Sequence, residues 1–504
     1  MTGKVWLVGA GPGDPGLFTL KGRNVLEQAD VVVYDALVGQ GVLAMIPREA
    51  ERINVGKRAS NHLMAQENIN QVLVDQALKG KKVVRLKGGD PFLFGRGGEE
   101  LELLSSYGIP YEVVPGVTSA LAVPAYNGIP VTHRDFCSSL HIVTGHKRSG
   151  REYNIDFQAL VRTGGTLVFL MGVTALGDIC RGLLLAGMDQ DTPAAVLQQG
   201  TTAGQKRIVA TVGSLEDEVD RKGVETPAII VVGKVCSLAD RFGWYEKLPL
   251  FGKKILVTRP KELSSQMAAR LRSKGAEVLE LPAICTVPVH PCDSLHEAMQ
   301  KNTYDWVVFT SPTGVRVFFD ELRSYEDLDI RVLAGSKFAA IGSGTAGKLQ
   351  EYGLRADLIP ETYDAASLGK ALAESCRSGG RILIPRAASG SRELTEALER
   401  VPDIQIDDIP TYETRYEPLG VIDEKAEFTH GKIDYAVFTS ASTVRGFAAA
   451  VGEMDYSLVK AVCIGKQTRA AADAMGMQTW MAAQATMDAV IELLETLSQN
   501  DSGR

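Results

Sequence analysis

Short apolar runs, each ended by glycine, proline or an acid, recur along the first half of the chain. They lie at 5–8, 31–34, 83–86, 111–114 and 141–144, then at 166–171, 194–197, 207–212 and 228–232. Runs of four to six residues suit strands covered on both faces, and the segments between them carry helical spacing, as in Leu17, Leu20, Val25, Leu26 and Ala29. Alternation of this kind predicts an α/β fold with a mostly parallel sheet. Ser214, with Glu216 and Asp217 behind it, predicts a helix N-cap. The pattern divides residues 1–240 into two lobes, about 1–135 and 136–240, whose cleft is the default ligand site. Turn glycines, a proline and aromatics then interrupt it, so 241–251 is expected to be a linker, and a fresh strand starts at Lys254-Ile-Leu-Val-Thr258.

The second half, 252–504, repeats itself. Phe309-Thr-Ser-Pro-Thr-Gly-Val-Arg316 recurs as Phe438-Thr-Ser-Ala-Ser-Thr-Val-Arg445, and Ala340-Ile-Gly-Ser-Gly-Thr345 as Cys463-Ile-Gly-Lys-Gln-Thr468. Val257-Thr-Arg-Pro260 has a looser echo in Ile384-Pro-Arg-Ala387. The displacement is about 125 residues in all three cases, which predicts two similar α/β lobes. Proline-broken segments at 280–284 and 408–414 are hinge candidates. They place one lobe at about 252–284 plus 414–500 and the other at about 287–410. Each repeated motif reads as a strand end opening a helix, where hydroxyls and free N–H groups suit carboxylates; the alternative is simple N-capping.

Composition narrows the chemistry. The 504 residues carry a net charge of −7, against non-specific nucleic-acid binding, and 45% hydrophobic content is ordinary for a globular protein. No apolar stretch reaches membrane-spanning length, and the chain opens directly on a strand, so neither a membrane span nor a signal peptide is expected. Seven scattered cysteines without a CxxC pair read as reduced thiols of a cytoplasmic protein, with no disulfide framework and no metal site.

Two glycine-rich segments stand out. In Arg85-Leu-Lys-Gly-Gly-Asp-Pro-Phe-Leu-Phe-Gly-Arg-Gly-Gly-Glu-Glu100, a buried strand breaks on Gly88-Gly89, where a missing Cβ lets a ligand approach the backbone at the strand's carboxyl end. Val8-Gly-Ala-Gly-Pro-Gly-Asp-Pro15 resembles a dinucleotide fingerprint only superficially. Pro12 and Pro15 have no N–H to offer a pyrophosphate, and Asp14 would repel one. Such a loop suits a ligand without phosphate, and its acid suits a cationic one such as the sulfonium of S-adenosylmethionine.

These motifs, with Tyr34-Asp-Ala-Leu-Val38, Val55-Gly-Lys-Arg58, Val114-Pro-Gly-Val-Thr-Ser119, Gly128-Ile-Pro-Val-Thr-His-Arg134 and Met171-Gly172, make residues 1–240 resemble the uroporphyrinogen-III C-methyltransferases of the tetrapyrrole methylase family. Residues 252–495 resemble uroporphyrinogen-III synthase through the repeat and Tyr412-Glu-Thr. The resemblance implies a two-lobed tetrapyrrole methylase fold followed by a two-lobed synthase with parallel-sheet α/β lobes. It implies cyclisation of hydroxymethylbilane to uroporphyrinogen III and its double methylation to precorrin-2, for siroheme or cobalamin biosynthesis. It further implies that Pro12, Gly88, Gly89, Asp90, Leu93, Thr118, Ser119, Met171 and Gly200 hold S-adenosylmethionine. Asp35 would be proton acceptor and Lys57 proton donor. Tyr412 would assist the leaving hydroxyl, and Ser311, Thr345, Ser440 and Thr468 would bind substrate carboxylates. Among cations that match a polycarboxylate, Arg96 and Arg134 are carried forward, with Lys57, Arg58, Lys147 and Arg148 as further candidates. No metal or nicotinamide is implied, and the family points to a homodimer through the methylase half. With no dehydrogenase or chelatase segment, the product is expected to stop at the dimethylated macrocycle. An RNA-directed methylase fits the glycine run and the acidic charge poorly. The remaining alternative is an active methylase carrying a non-catalytic tetrapyrrole-binding C-terminal module.

Overall fold

A computed structural model describes residues 2–56, 65–145, 155–258, 261–281, 284–416 and 423–502. The chain forms two compact units, one of 1–281, 419–441 and 453–504, the other of 282–418 and 442–452. Within them lie four five-stranded sheets.

The first sheet contains β1 (Lys4–Gly9), β2 (Val31–Tyr34), β3 (Glu51–Asn54), β4 (Lys82–Lys87) and β5 (Tyr111–Val114). Its order is β3-β2-β4-β1-β5, with every pairing parallel, as the doubly covered apolar runs predict. β1 and β4 are neighbours in register from Lys4 opposite Lys82 to Gly9 opposite Lys87. The two glycine-rich segments therefore leave the sheet side by side.

The second sheet departs from the expected parallel pattern. It contains β6 (Leu140–Thr144), β7 (Thr166–Leu170), β8 (Pro193–Gln198), β9 (Lys206–Thr211) and β10 (Ala228–Val232), in the order β6-β7-β10-β8-β9. Only β6 and β7 run parallel; the other pairings are antiparallel. The short connection from β8 to β9 is the reason, since a parallel return needs a crossover of a dozen or more residues. The helix Leu215–Lys222 follows, but Ser214 does not cap it with its side chain; its Oγ lies 3.1 Å from Thr211 Oγ1 instead. Ala120, Val123 and Ile129 share one apolar cluster with Leu170, Leu197 and Ile229, so the helix Ser119–Tyr126 is packed on the second sheet.

The expected linker is folded. A helix at Ala239–Phe242 and a 3-10 turn at Tyr245–Lys247 occupy it, and Tyr245 and Leu250 are buried.

The chain continues into β11 (Lys254–Thr258) and β12 (Glu277–Glu280) of the third sheet. It then supplies the fourth sheet with β13 (Ile284–Pro288), β14 (Trp306–Phe309), β15 (Lys337–Ala340), β16 (Arg381–Ala387) and β17 (Gln405–Tyr416). Finally it contributes β18 (Tyr435–Phe438), β19 (Lys460–Cys463) and β20 (Gln478–Met481) to the third. The orders are β12-β11-β18-β19-β20 and β13-β17-β16-β14-β15. The sequence echoes map onto them: β18 takes the place of β14, β19 of β15 and β11 of β16. Of the two hinge candidates, 282–283 lies outside the described residues. Pro410 does not interrupt its segment: β17 runs through it, paired with β16 on one side and β13 on the other. A register shift, with Arg386 opposite Pro410 and Ala387 opposite Tyr412, leaves Thr411 as the extra residue of a bulge that admits the proline. Among the described residues, no helix is long and apolar enough to cross a membrane.

Candidate functional site

The carboxyl ends of β1, β4 and β5 meet backbone to backbone. Gly11 and Gly89 form an antiparallel bridge, with Gly89 N–H donating to Gly11 O at 2.8 Å and Gly11 N–H to Gly89 O at 3.2 Å. A Cβ on Gly9 would lie 2.5 Å from Gly116 Cα, and one on Gly116 would lie 2.2 Å from Gly89 O. These glycines are required by close approach. Gly89 differs: its φ is +67° and nothing lies within 4 Å of where a Cβ would point. That backbone position is open, with room for a ligand to approach.

Asp90 ties the same turns together. Its Oδ1 accepts from Phe92 N at 2.8 Å and Leu93 N at 3.2 Å, and its Oδ2 accepts from Gly116 N at 3.0 Å. Thr118 caps the helix Ser119–Tyr126, accepting from Ala120 N at 3.3 Å, and leaves Ser119 at its first turn. Leu93 packs against the cluster of Ala120, Val123 and Leu170. Gly200 is buried, and a Cβ there would strike Val123 at 2.4 Å. The proline-rich loop closes on the same region, since a Cβ on Gly13 would meet Thr202 at 2.8 Å and Thr201 at 3.0 Å. Pro12, Gly88–Asp90, Leu93, Thr118, Ser119 and Gly200 are thus drawn into one region by these contacts. Met171 follows β7 and is half exposed.

Backbone strain marks the same segments. Of six described non-glycine residues with positive φ, five are Phe94, Arg96, Met171, Gln199 and Thr201. They follow β4, β7 and β8. Strain of this kind gathers at ligand clamps because surrounding structure must hold it.

Asp35 ends β2. Its Oδ1 accepts from Leu37 N at 3.1 Å, and its Oδ2 lies 3.4 Å from Arg85 Nη2, with a quarter of the side chain exposed. Behind it is a buried charge network absent from the sequence reading. Glu100 Oε1 accepts from Arg85 Nε at 3.0 Å, Lys87 Nζ at 2.8 Å and Gln66 Nε2 at 3.3 Å, while Glu100 Oε2 has no partner among the described residues. Burial and the neighbouring Arg85 push the Lys87 ammonium below its ordinary value, and Glu100 opposes them. The signal was a charged pair inside the apolar strand Lys82–Lys87: buried charges need partners. Lys57, Arg58, Lys147 and Arg148 lie outside the described residues. Arg96 does not stand free for substrate, as both arms of its guanidinium grip Glu99 at 2.9 and 2.6 Å. Arg134 is exposed.

In the fourth sheet, Tyr412 and Ser311 come together. Tyr412 Oη lies 2.9 Å from Ser311 Oγ, which also accepts from Gly314 N at 2.9 Å and caps the helix Pro312–Ser324. Burial raises the Tyr412 phenol, although the Ser311 contact works against this. Thr345 is buried in the first turn of the helix Ser343–Glu351, and Thr468 in that of Lys466–Ala474. Neither is an N-cap: Gly342 and Gly465 hold those positions without side-chain bonds. Ser440 follows β18 just before the helix Ala441–Val451, as Ser311 follows β14. Ser311, Thr345 and Tyr412 belong to one compact unit and Ser440 and Thr468 to the other.

Comparison with known proteins gives matches in both halves. Residues 4–216 match the family model of tetrapyrrole (corrin/porphyrin) methylases, and residues 265–492 that of uroporphyrinogen-III synthase HemD. A porphyrin biosynthesis protein HemD of Ruminiclostridium josui is 48% identical, over 98% of this chain and 97% of its own. A uroporphyrinogen-III C-methyltransferase of Bacillus subtilis is 42% identical, over 67% of this chain and 69% of its own. Among solved structures, a uroporphyrin-III C-methyl transferase from Thermus thermophilus, complexed with S-adenyl homocysteine, is 40% identical; the match covers 47% of this chain and 99% of that one, with a TM-score of 0.41.

Proposed function

The chain belongs to the porphyrin-biosynthesis proteins that join a tetrapyrrole methylase to a HemD uroporphyrinogen-III synthase, and from that premise we propose how its two sites divide the work. It is a bifunctional tetrapyrrole biosynthesis enzyme with uroporphyrinogen-III synthase and C-methyltransferase activities. The first activity closes hydroxymethylbilane to uroporphyrinogen III, and the second methylates that macrocycle twice to precorrin-2.

S-adenosylmethionine is the donor in this reading, held by Pro12, Gly88, Gly89, Asp90, Leu93, Thr118, Ser119, Met171 and Gly200. The observation that carries the assignment is the open backbone at Gly89, ringed by glycine contacts too tight for any side chain. When bound, this donor supplies an electrophilic methyl group for a pyrrole carbon. The chain's part is alignment, because a displacement needs its reacting atoms in line. Asp35 accepts the proton that the methylated ring must shed. The N–H of Leu37 and the guanidinium of Arg85 aim its carboxylate. Lys57 returns a proton.

In the synthase half, Tyr412, set by its 2.9 Å contact with Ser311, offers its phenol proton to the departing hydroxyl. Ser311, Thr345, Ser440 and Thr468 hold carboxylates with their hydroxyls at helix starts, where the helix dipole favours an anion. Arg96 and Arg134 serve the macrocycle's carboxylates at the methylase, Arg96 exchanging Glu99 for substrate. The methylase half forms a homodimer, and the protein works in the cytoplasm without a metal.

Hydroxymethylbilane incubated with the full chain tests this, with products identified by mass and isomer. A type III macrocycle without donor, and a doubly methylated one with it, is expected. Spontaneous type I ring alone, with methylation of supplied type III macrocycle, would make the second half a binding module.

A further inference from the structure

The proline-rich loop is gripped from a direction that the methylase motifs do not explain. Asp14 is held at three points. Its Oδ1 accepts from Gly16 N at 2.7 Å, its Oδ2 from Tyr126 Oη at 2.8 Å, and its own N–H donates to Thr201 Oγ1 at 3.1 Å. Burial, with Asp14 beside it, raises the Tyr126 phenol, so Tyr126 remains the donor.

Both partners of Asp14 are backed by the segment between the two halves. The Tyr126 ring packs on Trp244 and Tyr245 at centroid distances of 5.1 and 4.8 Å, and Tyr245 meets Phe251 edge-on at 5.4 Å. Trp244 Nε1 donates to Ala125 O at 3.0 Å. Thr201 N–H donates to Gln205 Oε1 at 3.0 Å, and Gln205 Nε2 reaches Tyr126 O at 3.3 Å and Glu246 Oε1 at 3.4 Å. Glu246 is fixed in turn by Arg207 at 3.0 Å.

β12 holds the other side of the Thr201 turn. Glu277 Oε2 accepts from Ala203 N at 2.9 Å. The other oxygen of Glu277 lies 3.4 Å from Lys254 Nζ, which also binds Glu427 at 2.7 Å and Gln40 Oε1 at 2.5 Å. Gln40 opens the helix Gln40–Leu43, just after the Asp35 turn. All these residues belong to one compact unit. A loop carrying Gly11 and Gly13 at φ of +76° and +151° has little stiffness of its own, so its shape must come from such neighbours.

We propose that Trp244, Tyr245 and Glu246, with Glu277 of β12, are positioning residues for methyl transfer: acting through Tyr126 and Thr201, they hold Asp14 and with it Pro12 in donor-binding form. The first strands of the synthase half thereby complete the donor site of the methylase half. This rests on the reading of Pro12 and Gly89 as donor contacts.

The test uses the full chain, with the unfolding midpoint of each preparation as the control for folding. Tyr126→Phe removes one oxygen and is expected to raise the KM for S-adenosylmethionine about tenfold, with kcat held within about twofold and the KM for the macrocycle unchanged. Trp244→Ala and Glu277→Gln should move the same constant in the same direction, and Trp244→Phe should restore it. Unchanged donor KM in Tyr126→Phe and Trp244→Ala would overturn the inference and leave the segment a mere connector. Should Trp244→Ala fail to fold, Tyr126→Phe and Glu277→Gln decide. Gly89→Leu separates the two layers. If it leaves donor KM unchanged, the donor-site reading fails and takes the inference with it. If it raises donor KM while Tyr126→Phe does not, only the inference fails.

Discussion

The first and fourth sheets are both five-stranded and mostly parallel, yet their strand ends are closed by different means. In the first, Gly9, Gly89 and Gly116 touch through backbone atoms, and a carboxylate, Asp90, stitches the turns. In the fourth, the corresponding region is joined by side chains, the Tyr412 phenol on the Ser311 hydroxyl. Backbone closure admits almost no residue but glycine. Side-chain closure tolerates many, since a hydroxyl at a helix start has several equivalents. The contrast explains why one half of the molecule carries specific motifs and the other only a faint repeat.

The largest effect expected is at Glu100. Glu100→Leu leaves Lys87 buried without its anion and Arg85 with only the longer contact to Asp35, and should cost about 3–5 kcal/mol, seen as a lower unfolding midpoint. Next comes a pair of glycines that sets the two closures against each other. Gly116→Ala drives a Cβ into Gly89 O and should cost about 3 kcal/mol together with methyl transfer. Gly314→Ala, whose Cβ would stand 3.3 Å from Ser311 Oγ and 3.4 Å from Pro385 O, should stay within about 1 kcal/mol of the parent. Equal damage at both would erase the distinction.

Asp35→Asn keeps the shape of the turn and should slow methyl transfer about a hundredfold with an unchanged unfolding midpoint. A parallel loss of stability would make Asp35 a structural residue. In the fourth sheet, Ser311→Ala removes a helix cap and the Tyr412 partner and should cost about 1 kcal/mol, measurable by denaturant titration. The smallest effect is electrostatic. Glu112 on β5 is drawn down to about 2 by Lys21 and Lys4, from an ordinary 4.5. Its folded pKa lies below the unfolded one, so its contribution is present above about pH 4.5 and is lost as pH falls toward 2. Glu112→Gln should flatten that part of the stability profile, and an unchanged slope would show the pair to be screened by solvent.

Much of this was legible in the chain. The strands at 31–34, 111–114, 228–232 and 254–258 follow their apolar runs to the residue. The repeat motifs predicted two similar lobes, and their strands run in the same relative order, β11-β18-β19 in the third sheet and β16-β14-β15 in the fourth. The antiparallel pairing of β10 with β7 and β8 was not legible, because apolar runs report burial and not direction, whereas that of β8 with β9 lay in their short connection. Pro410 misled because a proline breaks a strand only where its N–H is needed, and a bulge removed that need. The linker reading missed the burial of Tyr245, which Tyr126, more than a hundred positions away, helps to cover, while Trp244 stays half exposed.

By itself, the sequence determined where most strands lie, where glycines leave the backbone bare, and that the first glycine loop lacks the N–H groups a pyrophosphate needs. Those properties are local: burial period, missing Cβ atoms and missing N–H groups act over a few residues. Only the tertiary structure decided that Arg85, Lys87 and Glu100 form one buried network behind Asp35, and that Asp14 is held by Tyr126 and Thr201 with Trp244 and Glu246 behind them. Partners far apart in the chain meet through packing, and a buried charge or a half-covered ring announces its need for a partner without naming it.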